Sequence, residues 1–253
     1  MKNNPFDLTS RWAIVTGANT GLGRAMAVAL ANAGANIVLV SRSSCSETAN
    51  EIKQLGRQYY EINTDLSRKE VWGKLIDEAY DHAGRLDILV NNAGIIRRND
   101  ALEFGDQDWD DVLTVNLKSV FFLSQAFAKK AVESGSSAKI INIASMLSYQ
   151  GGVRVASYTA SKSGVMGLTR LLANEWSGKS INVNAIAPGY FATNNTAALQ
   201  ADEQRNKEIL GRIPAGRWGS PADLGGAVVF LSSSASDYVN GITLPVDGGW
   251  LAR

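Results

Sequence analysis

Short apolar runs recur along this chain as WAIVTG, ANIVLV, QYYEIN, LDILVNN, AKIINIAS, INVNAIAP and GITLPVDG, and longer segments of helical period separate them. Apolar, often β-branched residues stand at successive positions in several of these runs, too many for strands wetted on one face. The runs therefore predict strands buried on both faces. The segments between them predict helices at about 22–33, 46–56, 67–82, 108–131, 157–177 and 221–233. Such alternation is the mark of βαβ crossovers. It predicts a single-domain α/β fold of Rossmann type, a doubly wound parallel sheet of about seven strands with helices on both faces.

One stretch breaks the rhythm. Between Pro188 and Pro214 the chain runs through YFATNNTAALQADEQRNKEIL, where a plain crossover needs only a few residues. An insertion at the carboxyl end of a sheet commonly covers a ligand, so 188–214 is read as a substrate-loop insertion, a lid; a surface excursion without that role is the alternative. The predicted helices 108–131 and 157–177 are apolar or small around much of their circumference, which predicts a second buried face at subunit contacts.

Composition narrows the partners. Of 253 residues 45% are hydrophobic and 19% charged, with a formal net charge of +1 and no block of one sign, so one domain over 1–253 is expected and neither nucleic acid nor an anionic membrane surface is. No segment reaches the ~18 apolar residues of a membrane span, and no apolar core of signal-peptide length stands in MKNNPFDLTSRW; a cytoplasmic location is expected. Cys45 is the single cysteine, read as a small residue in the loop after the second strand. His82, the single histidine, is read as a surface residue at a helix end, and no metal site is expected.

Candidate chemistry begins at the first strand-to-helix turn, Thr16-Gly17-Ala18-Asn19-Thr20-Gly21-Leu22-Gly23. Glycines there permit a tight turn and close backbone approach, and the free N–H groups of a helix start favour a pyrophosphate. Gly17, Asn19, Thr20, Gly21, Leu22 and Gly23 are thus a dinucleotide cradle. At the end of the second strand an acidic side chain would accept from the ribose 2′-hydroxyl of NAD, and a basic one would accommodate the 2′-phosphate of NADP. Ser41 and Arg42 stand there with no carboxylate, which favours NADP(H) over NAD(H), although Arg42 could instead stack on the adenine or face solvent. Asp65, followed by Leu66, can accept from the adenine amino group or cap the helix that follows. In Asn91-Asn92-Ala93-Gly94 the small residues admit the adenosine ribose, and Asn91 is read as mainly structural.

Tyr158 and Lys162 lie four positions apart in SYTASKSG, one helical turn, so the phenol and the ammonium share a face. A phenol titrates near ~10, and a fixed cation beside it lowers that value toward useful acid/base chemistry. Ser145 ends the strand INIAS, where it could also make a local backbone bond, and Asn116 sits inside VLTVNLKSVFFLSQ. Arg97 and Arg98 follow the Asn-Asn-Ala-Gly turn, and Arg154 lies four residues before Tyr158. Their guanidinium forks suit a carboxylate, with plain surface solvation as the other reading of each. In the insertion, Asn194 and Asn195 could bond substrate hydroxyls.

With these pieces in order, the whole chain resembles the short-chain dehydrogenase/reductase family, through Thr16 to Gly23, Asn91 to Gly94, Asn116, Ser145, Tyr158, Lys162 and Pro188-Gly189. The resemblance implies that Tyr158 is the general acid/base and that Lys162 binds the nicotinamide ribose and lowers the phenol's pKa. It implies that Ser145 hydrogen-bonds the reacting oxygen, and that Asn116 holds a water of the proton relay. Pro188, Gly189 and Thr193 would meet the nicotinamide end of the cofactor, and a homotetramer would be the assembly. Stretches such as NNAGIIRR, INIASMLSYQGG, RIPAGRWG and VDGGWLAR resemble a branch of the family that interconverts a hydroxyl and a ketone on deoxy sugar acids. That branch is NAD-linked, which sits against the reading of Arg42. Gluconate 5-dehydrogenase and 3-oxoacyl carrier-protein reductase chemistry share the same four residues; a non-catalytic dinucleotide-binding regulator would need neither Tyr158 nor Lys162.

Overall fold

The structure, a computed structural model, describes residues 4–253 apart from the Asn195 side chain. Seven strands form one parallel sheet in the order β3-β2-β1-β4-β5-β6-β7. They are β1 (Trp12–Thr16), β2 (Asn36–Ser41), β3 (Tyr59–Asn63), β4 (Ile88–Asn91), β5 (Ala138–Ile143), β6 (Ile181–Pro188) and β7 (Thr243–Val246). Each matches a run picked out by its apolar pattern. Alternate side chains enter different layers: Ala13 and Val15 of β1 pack in the core with Met26, Leu30 and Val228, while Trp12 and Ile14 pack with Leu75, Ile76, Leu123 and Phe127. Burial on both sides is why β1, β2 and β4 carry no polar stripe, while the edge strands β3 and β7 are partly exposed.

Helices α1 (Gly21–Asn32), α2 (Ser46–Gln54) and α9 (Gly225–Ser232) flank one face, and α3 (Val71–Ala83), α5 (Ser119–Glu133) and α6 (Ala156–Trp176) the other. The order reverses between β1 and β4, so the crevice above their carboxyl ends is the topological switch point, where open α/β sheets bind ligands.

Local structure corrects the sequence in four places. The helix expected from 67 begins at Val71, and Asp65 instead accepts the Ser67 N–H at 2.9 Å in a turn ahead of it. The helix expected over 108–131 is α4 (Asp106–Leu113), a π-turn at Thr114–Lys118, and α5. The start of the helix expected over 221–233 is a 3-10 turn, Pro221–Leu224, closed by a Ser220 and Asp223 capping box. Within 188–214 the chain forms α7 (Ala197–Ala201), too short to leave a helical period, and α8 (Glu203–Arg212), hidden by its polar composition.

The base of this excursion is pinned by a bridge between Phe191 and Gly219, with Ala192 N–H donating to the Gly219 carbonyl at 2.8 Å. Cys45 is buried at the start of α2, where burial pushes its thiol up. His82 is exposed near the end of α3, with its ring stacked 4.0 Å from that of Tyr60. Among the described residues no helix is long and apolar enough to cross a membrane, and no cluster of residues could hold a metal ion.

Candidate functional site

β1 ends in a turn with no spare volume. Gly17 has φ +67°, and a β-carbon on Gly23 would stand 2.0 Å from the Gly17 carbonyl oxygen. Thr16, which the residue-by-residue reading did not single out, holds the turn to β4: its hydroxyl accepts the N–H groups of Asn92 (2.9 Å) and Ala93 (3.0 Å). Asn92 returns its amide to the Thr16 carbonyl at 2.8 Å. Asn19 donates to the Ser43 hydroxyl at 3.0 Å, and the Ser43 N–H donates to the Ser41 hydroxyl at 3.0 Å, so the cradle and the end of β2 form one unit.

The N-cap of α1, Thr20, makes no side-chain cap bond, and no acidic residue stands in the first turn of α1. The helix start thus keeps donors and positive potential for an anion. Arg42 is exposed beside this turn. The Asp65 carboxyl lies below its usual range, chiefly through the Ser67 backbone bond, with the Arg42 charge contributing. Leu66 is a core residue whose carbonyl is taken by the Trp72 indole at 2.9 Å. Asn91 is structural as expected, its amide donating to Asn142 (2.9 Å) and Ser124 (3.0 Å).

Across the crevice stand the four residues of the expected proton-transfer set. Asn116 owes its place to the π-turn and is fully buried, its amide clasping the Ile95 backbone N–H (2.8 Å) and carbonyl (2.9 Å). A β-carbon on Gly94 would lie 3.2 Å from Asn116 Oδ1 and 3.8 Å from Lys162 Nζ, so only a small residue lets these meet. Lys162 is buried, donates to the Ile143 carbonyl at 2.6 Å, and has its pKa lowered by burial to about 8.

Tyr158 is half-buried, with the Lys162 ammonium 5.7 Å from its ring centroid. Burial pushes its phenol above the usual range, and the Ser145 hydroxyl and the Arg98 charge pull it down. The depression expected from Lys162 does not show: its ammonium donates to the Ile143 carbonyl, and the groups that lower the phenol are Ser145 and Arg98, against a larger desolvation. Ser145 also makes the local bond foreseen for it, accepting the Leu147 N–H at 3.1 Å as the cap of the 3-10 turn Met146–Ser148.

The arginines separate. Arg97 is engaged by Asp108 (3.1 Å) and Asp111 (3.7 Å) of α4, acidic partners far enough along the chain to be missed. Arg98 and Arg154 are exposed and, among the described residues, form no ion pair. The Asn99 N–H donates to the Arg154 carbonyl at 3.1 Å, which joins their two loops.

Gly189 packs so closely that its β-carbon would fall 2.6 Å from the Asp247 backbone. Thr193 overhangs the cradle, its methyl 3.8 Å from where a Gly21 β-carbon would be. The Asn195 side chain lies outside the described residues. A groove of about 630 Å³ lined by Arg24, Val28, Glu51 and Leu55 flanks α1 and reaches Gly21 of the cradle.

Residues 17–251 match the family model described as Enoyl-(Acyl carrier protein) reductase. Over 98% of both chains the sequence is 61% identical to 2-dehydro-3-deoxy-D-gluconate 5-dehydrogenase of Escherichia coli. The chain belongs to the short-chain dehydrogenase/reductase family. It is also 59% identical to the enzyme of that same name from Dickeya dadantii, over 99% of each chain. Among solved structures, it is similar to an Agrobacterium tumefaciens protein described as a candidate 2-deoxy-d-gluconate 3-dehydrogenase with bound NADP. That match has a TM-score of 0.94 and 58% identity over 99% of this chain and 100% of the other.

Proposed function

We propose that the chain is an NAD(P)-dependent oxidoreductase that interconverts a hydroxyl and a ketone on a deoxy sugar acid, with 2-dehydro-3-deoxy-D-gluconate 5-dehydrogenase activity. The observation that carries this reading is that the Ser145 hydroxyl and the Arg98 charge act on the Tyr158 phenol, with the Lys162 ammonium 5.7 Å from its ring; the exposed Arg98 and Arg154, without an ion pair among the described residues, support a carboxylated substrate. Full-length identity to enzymes of that name supports the substrate.

The crevice fits a dinucleotide: glycines lie where a β-carbon would collide, and α1 starts with free donors and no acid. Gly17, Asn19, Thr20, Gly21, Leu22 and Gly23 would hold the pyrophosphate, and Asp65, Leu66, Asn92, Ala93 and Gly94 the adenosine. Lys162, Pro188, Gly189 and Thr193 would hold the nicotinamide end. When bound, the dinucleotide supplies or takes up hydride. NADP(H) is favoured because Arg42 is the charged side chain at the end of β2, and the Asp65 carboxyl is occupied by Ser67.

Tyr158 Oη donates its proton to the carbonyl oxygen during reduction and recovers it during oxidation. Ser145 orients that oxygen. Lys162 supplies the positive charge that favours the phenolate once the phenol has given up its proton, and Asn116 holds the Ile95 backbone that carries the loop to Arg98. Arg98 and Arg154 take the carboxylate, and α7 and α8 act as the lid. The enzyme is read as cytoplasmic and homotetrameric; exposed Phe122 and Val132 on α5 and Leu171 on α6 support subunit contacts.

The test follows NADPH and NADH absorbance with 2,5-diketo-3-deoxygluconate, gluconate and an acyl thioester as parallel substrates. We expect turnover of the diketo acid; turnover of the thioester alone would overturn the assignment. Tyr158→Phe should lose ~10³-fold in kcat with cofactor affinity intact, and a variant at full rate would remove Tyr158 from the chemistry.

A further inference from the structure

The C-terminal tail makes contacts that neither the fold nor the proton-transfer set requires. Trp250 is 4% exposed and gathers three other segments around its indole. Its Nε1–H donates to Gln150 Oε1 at 3.2 Å, in the loop between Ser145 and Arg154. The Arg212 guanidinium, in the last turn of α8, lies 4.0 Å from its ring centroid, and the Tyr190 ring, just beyond β6, lies 4.8 Å away. The same cluster buries Met146, next to Ser145, against Ile209 and Ile213 of the excursion.

The chain is shaped to deliver that indole. Both carboxylate oxygens of Asp247 accept backbone N–H groups of the tail, from Gly249 at 2.8 Å and Leu251 at 2.9 Å. Gly248 and Gly249 have φ +65° and +90°, and β-carbons there would meet Ile213 at 2.9 Å and Pro214 at 3.1 Å. The Ala215 N–H donates to the Gly248 carbonyl at 3.0 Å. On the other side, the Tyr149 hydroxyl donates to the Thr243 carbonyl at 3.1 Å, so the loop after Ser145 is gripped at two successive residues.

We propose that Trp250 is a positioning residue for the reaction at Tyr158: the C-terminal tail is a strap that ties α8 to the loop running from Ser145 to Arg154. The proposal rests on the assignment of the crevice as the reaction site, but not on the identity of the substrate. Through the Gln150 bond and the Met146 contact, the lid's position is coupled to that of the hydroxyl and guanidinium that meet the substrate. A small shift of such groups slows a reaction far more than it weakens a fold.

The experiment uses the full chain and the variants Trp250→Ala, Trp250→Phe and Gln150→Leu. Hydrogen exchange is followed with and without NADPH, beside steady-state kinetics with the diketo acid. In Trp250→Ala, amides of 203–212 and 146–150 should exchange about tenfold faster or more, with β1 and α1 unchanged and NADPH affinity within about twofold. The KM for the diketo acid should rise about ten- to a hundredfold, more than kcat falls.

Trp250→Phe keeps the packing and should recover most of this loss. The remaining deficit should equal that of Gln150→Leu and not deepen when the two are combined. Unchanged exchange in α8, or acceleration spread equally over β1 and α1, overturns the proposal. Should Trp250→Ala fail to fold, additive effects of Trp250→Phe and Gln150→Leu overturn it, and non-additive ones sustain it. Should the diketo acid not be a substrate, the exchange pattern still decides the strap.

Discussion

At the glycine turn, Thr16, Asn92, Asn19 and Thr48 each have a partner within the chain, and Gly23 has no room for one more carbon. On the loops proposed to form the mouth of the crevice, Arg98 and Arg154 are exposed and form no ion pair among the described residues. One region is complete without its ligand and the other keeps charge free for one. The difference follows from what each meets. A dinucleotide's pyrophosphate has one shape and is served by fixed backbone donors, whereas a particular sugar acid is selected by long side chains on loops.

Gly23→Ala should break the first region most severely. Its β-carbon would lie 2.0 Å from the Gly17 carbonyl oxygen and 2.5 Å from the Asn92 amide, both parts of the turn itself, so the strand-to-helix geometry must shift. We expect NADPH affinity to fall by ~10²-fold or more, read by fluorescence titration, together with a stability loss of ~2 kcal/mol or more. An alanine variant that binds NADPH normally would show that the turn is not as closed as its packing indicates.

Lys162 stands between the two regions, and its burial opposes stability. Its ammonium titrates at about 8 instead of 10.5, so the unfolded chain binds more protons between those values. The folded state therefore carries the full cost below pH 8, about 3 kcal/mol, and regains it as pH rises toward 10.5. Lys162→Met should stabilise the cofactor-free protein at pH 7 by up to that amount while abolishing activity, and the gap should close between pH 8 and 10.5. Urea midpoints across this range check it, and a gap independent of pH would show that the Ile143 bond fully offsets burial.

At the mouth, Arg98→Ala or Arg154→Ala should each raise KM for the diketo acid about tenfold with little change in kcat, the size expected for one charge-assisted bond in a partly wet site. Arg97→Ala is the sharper half of the comparison. With its guanidinium held by Asp108 and Asp111, it should leave KM within about twofold and remove no more than ~1 kcal/mol of stability, since that pair is exposed. An equal rise in KM for all three would place the carboxylate elsewhere.

The two regions also differ in how far the sequence discloses them. All seven strands and the glycine turn are legible because a strand and a strained turn leave local marks: short apolar and β-branched runs between helical segments, and glycines at fixed offsets. Tyr158 and Lys162 are legible because four residues make one turn of α6. What escapes depends on distant partners. Arg97 and Arg98 are identical neighbours in sequence, and only the approach of α4 separates their surroundings. Nothing near Asn116 signals a π-turn, α8 lacks an apolar stripe beyond Ile209, and Trp250 finds Gln150 a hundred positions earlier.

The smallest effect belongs to Arg42, which combines features of both regions: it adjoins the completed turn and its charge reaches Asp65, yet it is exposed and forms no ion pair among the described residues. A 2′-phosphate beside it gains a charge-assisted contact, but one weakened by water and salt. Arg42→Ala should lower the ratio of kcat/KM for NADPH over NADH by only about five- to tenfold. In the unaltered enzyme that ratio should shrink as salt rises from about 0.05 M to about 0.5 M, while in the variant it should stay nearly flat. A preference insensitive to both the substitution and salt would mean that Ser41, Ser43 and Asn19, already bonded to one another, select the cofactor by shape alone. The completed region would then govern cofactor choice as well as cofactor binding.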